Sequence, residues 1–565
     1  MSDPAFDLVI RGGTVIDGTG APAREADVAI AGGRIAAIGP VAGAGREEID
    51  ARGRIVTPGF VDIHSHYDGH VTWADHLDPS SPHGVTTVVT GNCGVGFAPC
   101  RPEDRERLIT LMEGVEDIPE PVLAAGLPWC WESFPQYMDF IASRRFDMDV
   151  AVQVPHAPLR VHAMGERAAR REAATDHDIA AMRALAAEAL AAGAIGFSTS
   201  RSLNHRGSDG ELTPSYDAGA RELVAIAGAL KDAGRGVWQM ICDLEDEEGD
   251  FALIRQVAAA SGRPLSLSLM QYPHDPQRWR RVLDRIEQAN ADGLAIRAQV
   301  CGRPVGQFYG LDFSRHPFAF CDAYREVAAL PLPQRLAALR DPARRARILG
   351  EFPGTQPPPG RQHHTNFANI FECADLPDYE PAPDESLGAR AALMGVAPQV
   401  LAYDLITRGH GETVFYNPVV NFAGNSIAAV RAMLASPHAV LGLGDGGAHC
   451  GFICDASLPT HMLTRWARSG EFPLERIVQR LTSQTAQAVG LTDRGVLRVG
   501  ARADANVIDY ANLKLPRPFM VPDLPLGGAR IAQDPAGYDA TLVAGVITRR
   551  EGRATGQLPG RLIRH

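Results

Sequence analysis

Two histidines, His64 and His66, sit two residues apart in the segment GFVDIHSHYD at 59–68. On an extended strand that spacing puts both imidazoles on one face, with Asp62 and Asp68 flanking them in the same phase. Paired imidazoles at a strand end suit a divalent transition ion such as zinc, which binds His nitrogen, Cys sulfur and carboxylate oxygen. An isolated pair of this kind is usually no more than two polar residues leaving a strand. Here it follows a long β-rich region and opens a series of strand–helix units, and that context favours the metal reading.

Further polar groups cluster where other strands should end. Ser198, Thr199, Ser200 and Arg201 leave the strand AIGFSTSR, and Asn204, His205 and Arg206 follow. Arg201 and Arg206 could clamp a substrate carboxylate in bidentate fashion, or form ordinary loop ion pairs. His156 in VPHAP ends another strand and is a candidate for lining a pocket, while His363 and His364 are candidates for a lid.

These residues need a scaffold, and the hydrophobic pattern supplies one. Residues 6–56 read as a meander of short strands broken at Gly pairs and Gly-Pro turns, and the segment after about 500 has the same texture. Between them, apolar strand-like runs (VDIHSH, TTVVTGN, VAVQVPH, AIGFSTS, GVWQM, LSLSLM, LAIRAQV, VLGLGDG) alternate with amphipathic helical runs that stop at glycine. Roughly eight such units imply a parallel sheet closed into a barrel. The expectation is an α/β chain: a TIM-like (β/α)8 barrel over 58–490 and a small β-sandwich domain formed by 1–57 with 491–565. The stretch 302–400, rich in Pro, Arg and His and poorly periodic, reads as an insertion or lid.

The first-strand segment, together with HGVTTVVTGNCGVGFAP, AIGFSTSR, GLGDGGAH and TSQTAQAVGLTDRGVLRVGARADANVID, resembles the amidohydrolase superfamily over nearly the whole chain. Within it the likeness is to the N-acyl-D-amino-acid deacylase (D-aminoacylase) group. That resemblance implies zinc-dependent hydrolysis of the amide of N-acyl-D-amino acids, in a barrel joined to a small β-sandwich. It also implies a zinc-ligand role for Cys93 in GNCGVG. A thiolate suits zinc and the adjacent glycines allow close backbone approach, although a small buried residue is the commoner fate of a free cysteine. For Asp445 it implies a metal contact and a general base. A carboxylate there could take a proton from a metal-acidified water and return it to the leaving amine, or could merely begin the DGG turn. His449, four residues on, could face the same pocket.

The chain departs from the family on two strands. The group places histidines on barrel strands five and six, whereas the corresponding segments here are GVWQMICDLEDE and PLSLSLMQYPHD. Gln239 and Met240 stand at the first position and Leu269 or Met270 at the second, with His274 further on in loop. Gln239 therefore joins the substrate-binding candidates. No lysine is available on strand four, since only Lys231 and Lys514 occur. The expectation is one zinc ion per chain, held by His64, His66, Asp445 and Cys93, because three protein ligands and a water suffice.

Bulk properties exclude some functions. A net charge of −12 and an isoelectric point near 5.8 argue against nucleic acid or anionic lipid as the main partner. The 45% hydrophobic content of the 565 residues is ample for a large core, with no apolar run long enough to span a bilayer. Nine scattered cysteines without a C-x-x-C pair fit reduced thiols, so a cytoplasmic, bacterial enzyme acting on a small molecule is expected, with a homo-oligomer suggested by family likeness. Two rivals remain: a superfamily enzyme acting on a cyclic amide, a lactone or a non-hydrolytic substrate, and a non-catalytic oligomeric scaffold.

Overall fold

The computed structural model describes residues 5–352 and 362–565, and the side chains of all of these except 362 and 363, so the lid reading of the His363 side chain lies outside what is described. Eight parallel strands form one sheet in sequence order: Phe60–Asp62, Val85–Thr90, Asp149–Pro155, Gly196–Arg201, Val237–Cys242, Leu265–Ser268, Ile296–Val300 and Ala439–Leu441. The second, third and fifth are buried along their whole length, as expected when a parallel sheet is covered on both faces. Helices Asp176–Ala191, Ala220–Ala233, Glu247–Ser261 and Arg278–Ala291 form part of the cover. Thr175 and Asp178 make a capping box at the start of the first, and left-handed Gly234 and Gly262 end the second and third.

The barrel closes just beyond the ends of strands one and eight. There the Asp445 N–H donates to the His64 carbonyl at 3.0 Å and the His66 N–H to the Gly446 carbonyl at 2.7 Å.

A nine-stranded sheet joins both chain ends. Ile55–Pro58 pairs antiparallel with Ala505–Ile508, so strands before the barrel lie in register with strands after it. Leu8, Ile10, Val28, Val56, Val507 and Leu542 share its apolar core. Neither end supplies that core alone, and on this ground we propose 1–57 with 491–565 as one unit beside the barrel of 58–490.

The segment set apart by composition is more regular than its sequence suggested. Three of its prolines sit in the first turns of helices Leu332–Leu339, Pro342–Glu351 and Pro398–Ile406, where a missing N–H costs nothing. It also runs past 400, because Phe415–Val420 pairs antiparallel with Val305–Tyr309 around a core that includes Tyr309, Phe318, Leu401 and Phe415. His364 is packed into this subdomain, stacked on Phe320. Among the described residues no helix is long and apolar enough to cross a membrane.

Arg494 and Arg502 tie the β domain to the base of the barrel. Arg494 Nη1 lies 2.6 Å from Asp149 Oδ2 and 3.0 Å from Thr87 Oγ1, and Arg502 Nε lies 2.8 Å from the same Asp149 oxygen. Arg494 and Asp149 are both buried, so removing one partner strands a charge. Arg494→Met should therefore cost about 3 kcal/mol, seen as a lowered denaturant midpoint, whereas Arg498→Met at an exposed position nearby should stay within about 0.5 kcal/mol of the parent. Equal midpoints for the two variants would refute the role of this node.

Candidate metal centre

Barrel closure brings four of the expected ligands together. His64 Nε2 lies 3.2 Å from Cys93 Sγ and 3.4 Å from Asp445 Oδ1, and His66 Nε2 lies 3.7 Å from the same oxygen. Donor atoms of His64, His66 and Cys93 all fall within 4.8 Å of one another, and all three side chains are buried. Tetrahedral zinc, with ligands at 2.0–2.3 Å, places donor atoms about 3.5 Å apart. The donor set and its spacing fit such an ion.

The loops that carry these groups are held in unusual conformations. Cys93, Asp445 and His449 have φ of 54°, 47° and 51°, in the left-handed region that non-glycine residues avoid. Hydrogen bonds fix the Cys93 turn: its N–H donates to Gln239 Oε1 at 2.8 Å, and the Gly94 N–H donates to Ser198 Oγ at 2.9 Å. Gly94 itself is required, because a Cβ there would stand 2.9 Å from Thr199 Cα.

Burial shifts every titratable group at the centre toward its neutral form. It brings His64 down to about 4 against a hydrogen bond to Gln299, and drives His66 well below its ordinary value with help from His64, His449 and His205. Both imidazoles are thereby neutral, the form that binds metal. Burial also drives Cys93, Glu116 and Asp445 well upward. Glu116 and Asp445 add to the rise at Cys93, Asp445 and Asp68 to that at Glu116, and Asp455 and Asp62 to that at Asp445. Asp68, bonded to Thr90 and Gly91, is pushed up to about 6. A divalent cation among these acids would relieve their mutual repulsion.

Residues 47–549 match the family described as the amidohydrolase family. The chain belongs to that family. It is 28% identical over 570 residues to a D-aminoacylase of Alcaligenes xylosoxydans xylosoxydans, a match covering 99% of this chain and 97% of that protein. An N-acyl-D-aspartate deacylase of the same organism is 29% identical over 91% of this chain and 88% of its own length. Among solved structures, a D-aminoacylase described by its binuclear metal centre, with one-metal activation and second-metal attenuation, superposes with a TM-score of 0.66 at 25% identity, covering 99% of this chain and all of that one. An N-acyl-D-glutamate deacylase from Bordetella bronchiseptica, complexed with zinc and a phosphonate mimic of the tetrahedral intermediate, gives 0.64 at 26% identity with the same coverage.

Several substrate-binding candidates of this amidohydrolase are committed elsewhere. His156 opens the helix His156–Met164, fully buried, with Nδ1 2.9 Å from Thr199 Oγ1 and Nε2 2.9 Å from Glu222 Oε1. Both ring nitrogens are thus used inside the protein, and it does not line a pocket. Arg201 donates to the carbonyls of Tyr216 and Ala218 and pairs with Asp250 at 3.3 Å, while exposed Arg206 donates to the carbonyls of Leu203 and Gly210. Loop carbonyls engage both guanidiniums, with Asp250 also on Arg201, so neither is held out toward a substrate as a clamp would need. Gln239 is also corrected, since its amide braces the Cys93 turn and reaches Ser268 Oγ at 3.4 Å.

His205 and His449 do come to the centre. His205 is bonded through Nδ1 to Ser200 Oγ at 2.8 Å just beyond strand four, and His449 lies on the loop after Asp445, its N–H bonded to the Glu116 carbonyl. Two contributors escaped the sequence reading. Gln299 on strand seven accepts from His64 Nδ1 at 2.7 Å, and Glu116 Oε1 lies 3.2 Å from His66 Nδ1. A signal existed for Glu116, which falls on the i, i+4 stripe of Leu108 and Met112, the buried face of its helix. The C-terminal arm walls the mouth as well, with the Ile531 N–H bonded to the Cys450 carbonyl at 2.6 Å.

Cys93→Ser should lower zinc affinity by more than the roughly 10–100-fold typical of changes one layer further out. The metal content of desalted protein, read by mass spectrometry, checks this; equal content in parent and variant would remove Cys93 from the ligand set.

Proposed function

We propose that this amidohydrolase hydrolyses the C–N amide bond of a small N-acyl amino acid of the D series, using one zinc ion per chain. The observation that carries the reading is the convergence of His64, His66, Cys93 and Asp445 beyond the ends of the barrel strands. The D-aminoacylase and deacylase relatives, similar over nearly the full chain, support the substrate class. Strands five and six, Val237–Cys242 and Leu265–Ser268, carry no histidine, and this supports a single ion.

His64, His66 and Cys93, with Asp445, would hold the ion. When bound, zinc supplies Lewis-acid polarisation of a carbonyl and acidifies water. Asp445 is the proton carrier. Its Oδ1 lies 3.4 Å from His64 Nε2 and 3.7 Å from His66 Nε2, so it faces the reacting position. Burial and the neighbouring acids Asp455 and Asp62 raise its proton affinity, which makes it a stronger base than an exposed carboxylate. It takes a proton from the attacking water at Oδ and delivers it to the departing amine nitrogen. The neutral rings of His205 and His449 stand near His64, suited to hydrogen-bonding the substrate without adding charge.

Zinc-loaded enzyme offered N-acyl-D- and N-acyl-L-amino acids, cyclic amides and lactones should release free amino acid from the D-isomers. Turnover confined to the cyclic amides or lactones would transfer the function to that class. Asp445→Asn should lower kcat by about 10²–10⁴ with the fold retained, as read by circular dichroism. Parent-like turnover would refute its role as the base.

A further inference from the structure

The helix Arg105–Glu116, inserted after the second barrel strand, ends on a carboxylate that the mechanism above leaves unused. Glu116 is 2% exposed, on the same buried face as Leu108 and Met112. A charged group so placed is costly unless it has a partner. Its Oε1 lies 3.2 Å from His66 Nδ1, a buried nitrogen that has no hydrogen-bond partner in this structure, so the carboxyl is the group within reach of it. The end of the helix is anchored independently of this contact. The Glu116 carbonyl accepts the His449 N–H, and Asp117 Oδ2 accepts the Gly451 N–H at 3.2 Å and lies 3.4 Å from Ser314 Oγ. One short stretch therefore grips the loop that follows Asp445 through its backbone and faces His66 through its side chain.

The other metal-site histidine has the corresponding arrangement. His64 turns Nε2 toward Cys93 and Asp445 and bonds Nδ1 to Gln299 Oε1 at 2.7 Å. Each ring thus presents Nε2 inward and Nδ1 to a buried side-chain oxygen, an amide for His64 and a carboxyl for His66. We propose that Glu116 is a positioning residue for the metal centre: it fixes the plane and tautomer of His66 so that Nε2 presents its lone pair inward, and it raises the donor strength of that ring. A carboxylate behind a metal-binding imidazole has both effects, and the bound cation itself favours the ionised carboxylate over the neutral form that burial alone favours; an amide orients without adding charge. Because strands five and six carry no histidine, each remaining imidazole matters more. The inference rests on the zinc reading of the site.

The test compares the parent, Glu116→Ala and Glu116→Gln as full-length chains. Zinc affinity is read by competition with a chromophoric chelator, the ligand field by the visible spectrum of the cobalt-substituted protein, and folding by the Tm of the metal-free form. Glu116→Ala should lose roughly 10–100-fold in zinc affinity and shift the cobalt bands, with the metal-free Tm held. Glu116→Gln keeps an oxygen acceptor without the charge, and should recover part of the affinity. Unchanged affinity and spectra in both variants would overturn the inference and leave the zinc reading standing. So would a loss that Gln does not relieve and that a fallen metal-free Tm accompanies. A parent protein that binds no zinc would instead refute the zinc reading, and the role of Glu116 with it.

Discussion

Two backbone hydrogen bonds close the barrel, and the chemistry depends on them. By joining Asp445 to His64 and His66 to Gly446, they bring together residues from opposite ends of a long barrel sequence. The pairing also fixes register. Both imidazoles leave the first strand on one face, so a slip of one residue would turn them away from Asp445. Gly447 permits the crossing, since its φ is 87° and a Cβ there would meet the His66 carbonyl at 2.8 Å.

Around that seam the protein concentrates groups that are costly in isolation. Cys93, Glu116 and Asp68 are buried, Asp445 is partly buried, and the nearby carboxylates oppose ionisation of Cys93 and Glu116, while Cys93, Asp445 and His449 adopt backbone conformations that non-glycine residues avoid. The rest of the fold holds them in place. Gln239 and Ser198 pin the Cys93 turn, Gln299 fixes His64, and the inserted helix end and the C-terminal arm brace the loop after strand eight. At the base, Arg494 and Arg502 on Asp149 couple this barrel to a sheet built from both chain ends.

Much of this was legible in the residues themselves. Alternating strand and helix patterns implied the barrel, and the matching β texture of the two ends implied that they meet. The spacing of His64 and His66, with the family resemblance for Cys93 and Asp445, picked out four residues whose side chains the fold brings together. Composition misled at 302–400, where prolines that start helices resembled prolines that break them.

Local sequence determines which face a side chain takes and which chemistry it can offer, and for the candidate ligands at the strand ends that was sufficient to bring them to one place. It does not determine which polar partner a side chain will find once distant segments pack. Arg201, Arg206, His156 and Gln239 had suitable types at suitable strand ends, yet tertiary packing supplied loop carbonyls, Glu222 and the Cys93 amide as their partners. The same packing brought Glu116 to His66 from a helix with no motif of its own. A buried polar group must be satisfied by whatever the fold sets beside it, and that neighbour is a property of the three-dimensional arrangement, not of spacing along the chain.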